Sequence, residues 1–185
     1  MRRIVVVGTT GSGKTTLARA IAGRLGVPHV ELDALHWEAN WTEAPTDVLR
    51  DRLTWAVGGA AWVVDGNYSK VRELFWSRAD TVVWLDYSLP VILWQLACRT
   101  LKRAVTREEL WSGNRERLTT ALFRRDSIIL WALKTYRKYR EEYPILFGRP
   151  EHAHLTVVRL RSPHATRAWL AGLCAHPPAT LTERA

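Results

Sequence analysis

The sequence has few of the residues that small proteins use to hold themselves together through disulfides or metal ions. Its two cysteines, Cys98 and Cys174, lie far apart among 185 residues, with no spacing typical of a metal site. We therefore expect neither a disulfide framework nor a structural zinc ion. The sequence also lacks any apolar run near the roughly 18 residues that a membrane helix requires.

The composition excludes a disordered or fibrous protein, because 47% hydrophobic and 24% charged residues are typical of a globular domain. The length suits one domain. We expect that domain over residues 1–176, with residues 177–185 as a flexible tail. The apolar stretch at residues 4–7 is too short for the core of a signal peptide, so we expect a cytoplasmic protein with no membrane partner.

Positive charge is what the sequence has in excess. It contains 27 Lys or Arg against 18 Asp or Glu, a formal net charge of +9. Residues 99–149 alone contain 13 Lys or Arg and 6 Asp or Glu. Such an excess indicates an anionic partner, which is a nucleic acid, a phosphorylated small molecule or a membrane surface.

Short β-branched runs alternate with amphipathic stretches, a pattern typical of βαβ units. The runs predict strands over residues 4–7, 28–33, 62–64, 81–85 and 155–160. Helices are predicted over residues 14–25, 46–57, 69–78 and 126–143, and Pro144 should end the last of them. Three more helices are predicted from their start signals, which are Ser88, the capping box of Thr106 and Glu109, and Ser162-Pro163. The fold class is therefore α/β, a parallel sheet between helices, and ligands bind such sheets at the carboxyl ends of the strands.

One segment matches the phosphate-loop pattern at every fixed position: Gly8-Thr9-Thr10-Gly11-Ser12-Gly13-Lys14-Thr15. Glycines let backbone amides surround a phosphate at the N-terminus of a helix. The lysine would reach the β- and γ-phosphates, and the final threonine would bind Mg²⁺. The predicted cofactor-binding residues of this segment are Gly8, Gly11, Ser12, Gly13, Lys14, Thr15 and Thr16.

Three aspartates follow predicted strands and should meet at one edge of the sheet. Asp65 and Asp86 each end an apolar strand, and we favour Asp65 for the magnesium side because Asn67 and Tyr68 follow it in a richer polar cluster. Asp33 has the position of a general base that orients or deprotonates an acceptor hydroxyl. Asp33 and Asp86 also have a structural interpretation, as caps of turns or helices.

Aromatic residues follow Asp33 on what would be a flap over the site. Tryptophan side chains there either stack on a base or a sugar or serve ordinary packing. The predicted substrate-binding residues are Asp33, His36, Trp37, Trp41, Asn67 and Tyr68.

Arginines are the candidates for neutralising charge on the migrating phosphoryl group. Arg99 and Arg103 lie four residues apart on one helical face, and Arg115 follows them. Two other interpretations stay open: a solvated helix surface, or a nucleic-acid patch, because Trp111 and Trp131 interleave with the basic residues.

A family resemblance rests on the phosphate loop together with Leu32-Asp33-Ala34-Leu35-His36-Trp37, Trp62-Val63-Val64-Asp65-Gly66-Asn67-Tyr68, residues 78–86 and the pair Arg99 and Arg103. With these segments the sequence resembles the DNA topology modulation protein family, a group of adenylate-kinase-like P-loop proteins. The resemblance implies a five-stranded sheet in the order 2-3-1-4-5, ATP as phosphoryl donor and Mg²⁺ as cofactor. It also implies a substrate flap near residues 34–58, a basic helical lid near residues 99–142, and adenine near Arg161 and Ser162.

The sequence thus predicts an ATP-dependent kinase with an unidentified acceptor, whose catalytic residues are Lys14, Asp33, Arg99, Arg103 and Arg115. The alternative is a nucleic-acid-binding regulator that ATP switches and that uses the basic helical segment. A toxin-like kinase that acts on a metabolite or an RNA end also stays open.

Overall fold

The computed structural model of the chain describes residues 1–106, 109–114 and 128–173. Five parallel strands form its main sheet: β1 (Arg3–Gly8), β2 (His29–Glu31), β3 (Trp62–Asp65), β4 (Thr81–Leu85) and β5 (Thr156–Leu160). They lie in the order β2-β3-β1-β4-β5, which confirms the predicted order. The central strand is β1, whose apolar run is buried from residue 4 onwards, as expected for a parallel strand covered on both faces.

Helices cover both faces of this sheet. They are α1 (Lys14–Leu25), α2 (Leu32–His36), α3 (Thr46–Ala56), α4 (Arg72–Trp76), α5 (Leu89–Thr106), α6 (Ile128–Phe147) and α7 (Pro163–Gly172). Short 3-10 helices span Ala39–Trp41, Ser69–Val71, Trp111–Gly113 and Pro150–His152. Between α2 and α3, Trp37–Glu38 pairs with Thr42–Glu43 in a small antiparallel sheet. None of the described helices is long and apolar enough to cross a membrane.

The core has two layers because successive side chains of β1 point to opposite faces of the sheet. Ile4 and Val6 pack with apolar residues of α1, whereas Val5 and Val7 pack with those of α3, α4 and α6. The end of β1 is therefore fixed from both sides, and the phosphate loop begins from this fixed point.

Two predicted boundaries around the site are wrong. The second strand ends at Glu31, and the chain turns into α2, so that Asp33 lies on a helical turn. The turn places the fully buried Leu32 in the same apolar layer as Leu49 and Leu53 of α3. The stretch predicted as one helix over residues 69–78 divides at Val71 into a 3-10 helix and the short α4.

Two further predictions about helix ends are wrong. Pro144 lies inside α6 instead of ending it. The proline removes one backbone hydrogen bond, but Phe147 stacks on Trp76, with 5.8 Å between the ring centroids, and holds the last turn on the core. Thr106 ends α5 instead of capping a new helix, and its hydroxyl donates to the carbonyl oxygen of Lys102 at 2.9 Å.

Candidate active site

The phosphate loop connects β1 to α1 through a tight backbone path. Gly8, Gly11 and Gly13 have positive φ angles of 151°, 86° and 89°. A Cβ atom at Gly8 would lie 2.7 Å from the carbonyl oxygen of Leu85, and one at Gly11 would lie 3.1 Å from that of Ile92. Glycine is therefore required where the loop passes the end of β4 and the start of α5, and α1 begins directly after the loop with its amides facing it.

Lys14 shares one electrostatic environment with three residues from other elements. Its Nζ donates to the carbonyl oxygen of Thr9 at 3.3 Å, within the loop. Burial lowers the pKa of Lys14; the carboxylates of Asp33 and Asp65 oppose this shift, and Arg99 adds to it. The fold thus brings together four of the predicted site residues, from the loop, α2, the end of β3 and α5.

Asp33 is held by a tyrosine from the other side of the site. The Tyr68 hydroxyl donates to Oδ1 of Asp33 at 2.6 Å. Burial, and next the negative charge of Asp33, raise the pKa of Tyr68 well above its usual range, so the phenol stays protonated. The His36 ring lies 4.8 Å from both the Tyr68 ring and the Trp37 ring, centroid to centroid.

Several side-chain oxygen atoms that could bind a cation lie beside the first turn of α1. The Thr15 hydroxyl donates to Oε1 of Glu31 at 3.3 Å. Burial raises the pKa of Glu31, and the charge of Asp65 adds to this shift, whereas a hydrogen bond from the side chain of Trp111 opposes it. Oδ2 of Asp65 lies 3.2 Å from Nε2 of His29.

This set of ligands fits Mg²⁺, which prefers oxygen and is usually bound through one or two carboxylates plus phosphate and water. Within the described ranges, no group of three or more His, Cys, Asp or Glu forms a metal cluster. Thr15, Glu31 and Asp65 would therefore need phosphate oxygens to complete the coordination. Sequence reasoning missed Glu31, although its position two residues before Asp33 within the predicted strand over residues 28–33 was a usable signal.

Asp86 follows a strand as Asp65 does, but its partners are different. It is buried, and its carboxylate binds Arg140 at 2.8 Å (Nε to Oδ1) and Arg159 at 2.6 Å (Nη2 to Oδ2). The Arg159 guanidinium also lies 4.4 Å from the centroid of the Trp84 ring. The structure therefore uses Asp86 to join β4, β5 and α6.

The flap is fastened by the segment Leu110–Asn114, which sequence reasoning did not connect with it. The buried Asn114 accepts from the backbone N–H of Trp41 at 2.9 Å and donates to the carbonyl oxygen of Glu38 at 2.8 Å. The Trp41 ring lies between those of Trp37 and Trp111, at centroid distances of 5.6 and 6.3 Å. The two tryptophans predicted for the acceptor thus belong to an aromatic group of three.

The other predicted site residues lie outside this group. Ser162 caps α7, accepting from the backbone N–H of Ala165 at 3.1 Å, and Arg161 beside it is exposed. Arg103 is half-buried on α5, one turn beyond Arg99. Arg115 lies outside the described residues. Among the loop residues, Ser12 is buried and Thr16 is exposed on α1.

Asn67 makes contacts that the sequence did not predict. Its Oδ1 accepts from the N–H of Gly8 at 3.3 Å, and its Nδ2 donates to the carbonyl oxygen of Gly8 at 2.6 Å. Its side chain is thus bound to the first residue of the phosphate loop.

Comparison with known proteins agrees with this geometry. The model of the ATPase family associated with various cellular activities (AAA) matches residues 4–86. The crystal structure of shikimate kinase from Bacteroides thetaiotaomicron matches with a TM-score of 0.53 and 16% identity, covering 92% of this chain and 94% of that one. The chain has a P-loop NTPase fold.

Sequence relatives narrow this assignment. A shikimate kinase of Synechococcus elongatus is 28% identical over 145 residues, covering 64% of this chain and 73% of that protein. A Schizosaccharomyces pombe protein named as a probable gluconokinase is 53% identical over 36 residues, 20% of this chain and 19% of that protein. These relatives support an ATP-dependent phosphotransferase of the small P-loop kinase type. They do not identify its acceptor, and they do not extend to the resemblance to DNA topology modulation proteins.

Proposed function

We propose that this P-loop protein transfers the γ-phosphoryl group of ATP to a hydroxyl group of a small acceptor. The observation that carries the proposal is the phosphate loop, in which Nζ of Lys14 donates to the carbonyl oxygen of Thr9 at 3.3 Å. The charge of Lys14 interacts with those of Asp33, Asp65 and Arg99. A phosphate-binding cation beside two carboxylates and a further cation has the parts that phosphoryl transfer needs, which are positioning and charge stabilisation.

The nucleotide side consists of the loop amides, Lys14 and the first turn of α1. Lys14 would bind the β- and γ-phosphates, and Arg161 and Ser162 would border the adenine. Mg²⁺, when bound, supplies positive charge that neutralises the phosphate oxygens. Thr15 and Asp65 would hold that ion, with Glu31 as an additional ligand directly or through water.

The acceptor side is built on Asp33. With Oδ1 engaged by Tyr68, we assign Oδ2 to the acceptor hydroxyl. The acceptor oxygen attacks the γ-phosphorus, the bond from that phosphorus to the oxygen bridging it to the β-phosphate breaks, and ADP leaves. Asp33 takes the hydroxyl proton. Arg99, Arg103 or Arg115 would neutralise the charge that spreads over the migrating group.

The acceptor class we propose is a small polyhydroxylated carboxylate. Two relatives bear the names of kinases for shikimate and for gluconate, and both of those compounds combine hydroxyl groups with a carboxylate. We assign the flap residues Trp37 and Trp41 to contacts with the C–H groups of such a compound. The His36 ring lies 4.8 Å from that of Trp37, centroid to centroid. An arginine of α5 that does not meet the migrating phosphoryl group would pair with the carboxylate of the acceptor.

The test is an acceptor screen at saturating Mg²⁺ and ATP, with sugars, sugar acids, cyclic hydroxy acids, nucleosides and nucleotides. The proposal expects acceptor-dependent ADP release from a hydroxylated acid. If only nucleosides or nucleotides stimulate ADP release, the proposed acceptor class is overturned. If no compound does so while ATP binds tightly, a switch role gains support.

A second candidate, the ATP-switched regulator, rests on the basic segment of residues 99–149. On α6, Arg137, Lys138 and Arg140 pair with acidic residues of this chain, which are Glu141, Glu142 and Asp86 respectively. This pairing reduces the positive charge offered to a polyanion, so we rank this candidate second. DNA binding that weakens steeply with salt and responds to ATP would reverse the ranking. For either function we propose a cytoplasmic location.

A further inference from the structure

Asn67 stands at the point where β3 separates from β1. The parallel pairing of these strands ends with Val6 opposite Asp65, and the N–H of Gly66 donates to the carbonyl oxygen of Val6 at 3.3 Å. Beyond that point the side chain of Asn67 replaces the missing backbone partner. Both backbone groups of Gly8, its N–H and its carbonyl, bond to the one side-chain amide.

A second element fixes the Asn67 side chain. The hydroxyl of Tyr143 on α6 donates to Oδ1 of Asn67 at 2.9 Å. Tyr143 is buried, and its ring stacks against those of Tyr139 and Phe147 at centroid distances of 5.2 and 5.7 Å. The amide of Asn67 is thus oriented by a tyrosine that belongs to a packed aromatic stack from the C-terminal half of the chain.

We propose that Asn67 is a positioning residue for the phosphate loop, with Tyr143 as its support. By bonding both sides of Gly8, it fixes the direction in which the loop leaves β1, and so the positions of the amides that receive phosphate. This role rests on the proposed nucleotide binding by the loop, and it differs from the acceptor contact that the sequence indicates for Asn67.

The two roles predict different measurements. An acceptor ligand at position 67 would change the affinity for the acceptor and leave nucleotide affinity unchanged. A positioning residue would change nucleotide affinity in the absence of any acceptor. The matched variants are Asn67→Ala, which removes both bonds to Gly8, and Tyr143→Phe, which removes only the supporting hydroxyl. Tyr136→Phe on the same helix is the control, because the Tyr136 hydroxyl bonds to Arg140.

The experiment is calorimetric titration of the full chain and its variants with Mg²⁺-ADP, together with the thermal midpoint of each without nucleotide. We expect the dissociation constant to rise about tenfold or more in Asn67→Ala and about threefold in Tyr143→Phe, as befits two hydrogen bonds and one. Tyr136→Phe should stay within about twofold of the wild type, because its hydroxyl does not touch Asn67 or the loop.

Nucleotide affinity within twofold of the wild type in folded Asn67→Ala, or in Tyr143→Phe if the first variant does not fold, overturns the proposal. Equal weakening in the Tyr136→Phe control would also overturn it, because the effect would then be a general loosening of α6. Failure of nucleotide binding by the loop, on which the inference rests, looks different, because the wild-type chain itself would then not bind Mg²⁺-ADP. Failure of phosphoryl transfer alone would leave the nucleotide affinities of the wild type and the variants as predicted.

Discussion

Asp65 and Asp86 have nearly the same local sequence, an apolar strand followed by an aspartate, and both are buried. Their surroundings separate them. Asp65 lies beside the imidazole of His29 and acts on Lys14 through space, whereas two guanidinium groups bind Asp86 at short distances. A strand-end carboxylate therefore takes its role from the cations that the fold supplies, and these come from distant parts of the chain.

The largest loss of turnover should come from a change at a third carboxylate, Asp33. It extends the comparison of Asp65 and Asp86, because Asp33 is assigned to the acceptor and not to the metal ion or the core. Asp33→Asn keeps the shape of the side chain but cannot accept the hydroxyl proton. We expect turnover with a responsive acceptor to fall by about 10³-fold, while Mg²⁺-ADP affinity stays within about threefold. Equal loss of turnover and nucleotide affinity in a folded variant would argue that Asp33 is structural.

Asp65→Asn is the next test, because Asp65 is assigned to the magnesium side. Removing its charge should lower turnover by about 100-fold and should raise the Mg²⁺ concentration needed for half-maximal rate. The loss should be smaller at high Mg²⁺. A turnover defect independent of Mg²⁺ would place Asp65 in a structural role with His29.

In contrast to Asp65→Asn, the variant Asp86→Asn should lose stability and keep its turnover. Two guanidinium groups would lose their carboxylate, and since both are partly exposed to water, the expected loss is about 2 kcal/mol of unfolding free energy. Turnover measured well below the midpoint should change little. Urea unfolding and turnover should be measured for both Asp65→Asn and Asp86→Asn. If both variants lost mainly stability, or both lost mainly turnover, the two aspartates would not have the different roles assigned to them.

The smallest predicted effect is a loss of stability at alkaline pH, caused by the buried tyrosines Tyr139 and Tyr143 of α6. Burial raises the pKa of Tyr139 and Tyr143 in the folded chain. In the folded state these tyrosines therefore stay protonated at pH values at which they ionise in the unfolded chain. Their stabilisation is complete below pH about 10 and is lost as the pH rises through the folded pKa. At pH about 10.5 the loss is about 0.8 kcal/mol for each tyrosine. Urea midpoints from pH 8 upwards should fall less steeply in Tyr143→Phe.

Local sequence patterns were enough for the strands and for the phosphate loop. The short runs predicted the five strands, whereas their order in the sheet was predicted from the family resemblance. The loop pattern carries its own backbone requirements at Gly8 and Gly11. The predicted element boundaries were wrong where the packing of an apolar side chain in the core outweighed the local sequence pattern. Leu32 turns the chain into α2 to reach its core layer, and packing of Phe147 carries α6 past Pro144.

The rest of the candidate site depends on pairs that are distant in sequence. Asn67 meets Gly8 across 59 residues, Asn114 meets Trp41 across 73, and Arg159 meets Asp86 across 73. Nothing in the residues around Asn114 or Arg159 indicates their partners, because the contact exists only once the strands and the flap are in place. Glu31 is different, since its spacing from Asp33 was visible and was overlooked.

The most direct test of the account compares the wild-type chain with Lys14→Ala, each incubated with Mg²⁺-ATP and the acceptor that best stimulates ADP release. Mass spectrometry of the acceptor is the readout. The account predicts that the wild type adds one phosphoryl group to the acceptor and that the folded variant does so at least about 100-fold more slowly. Equal yields of phosphorylated acceptor from the two proteins would contradict it.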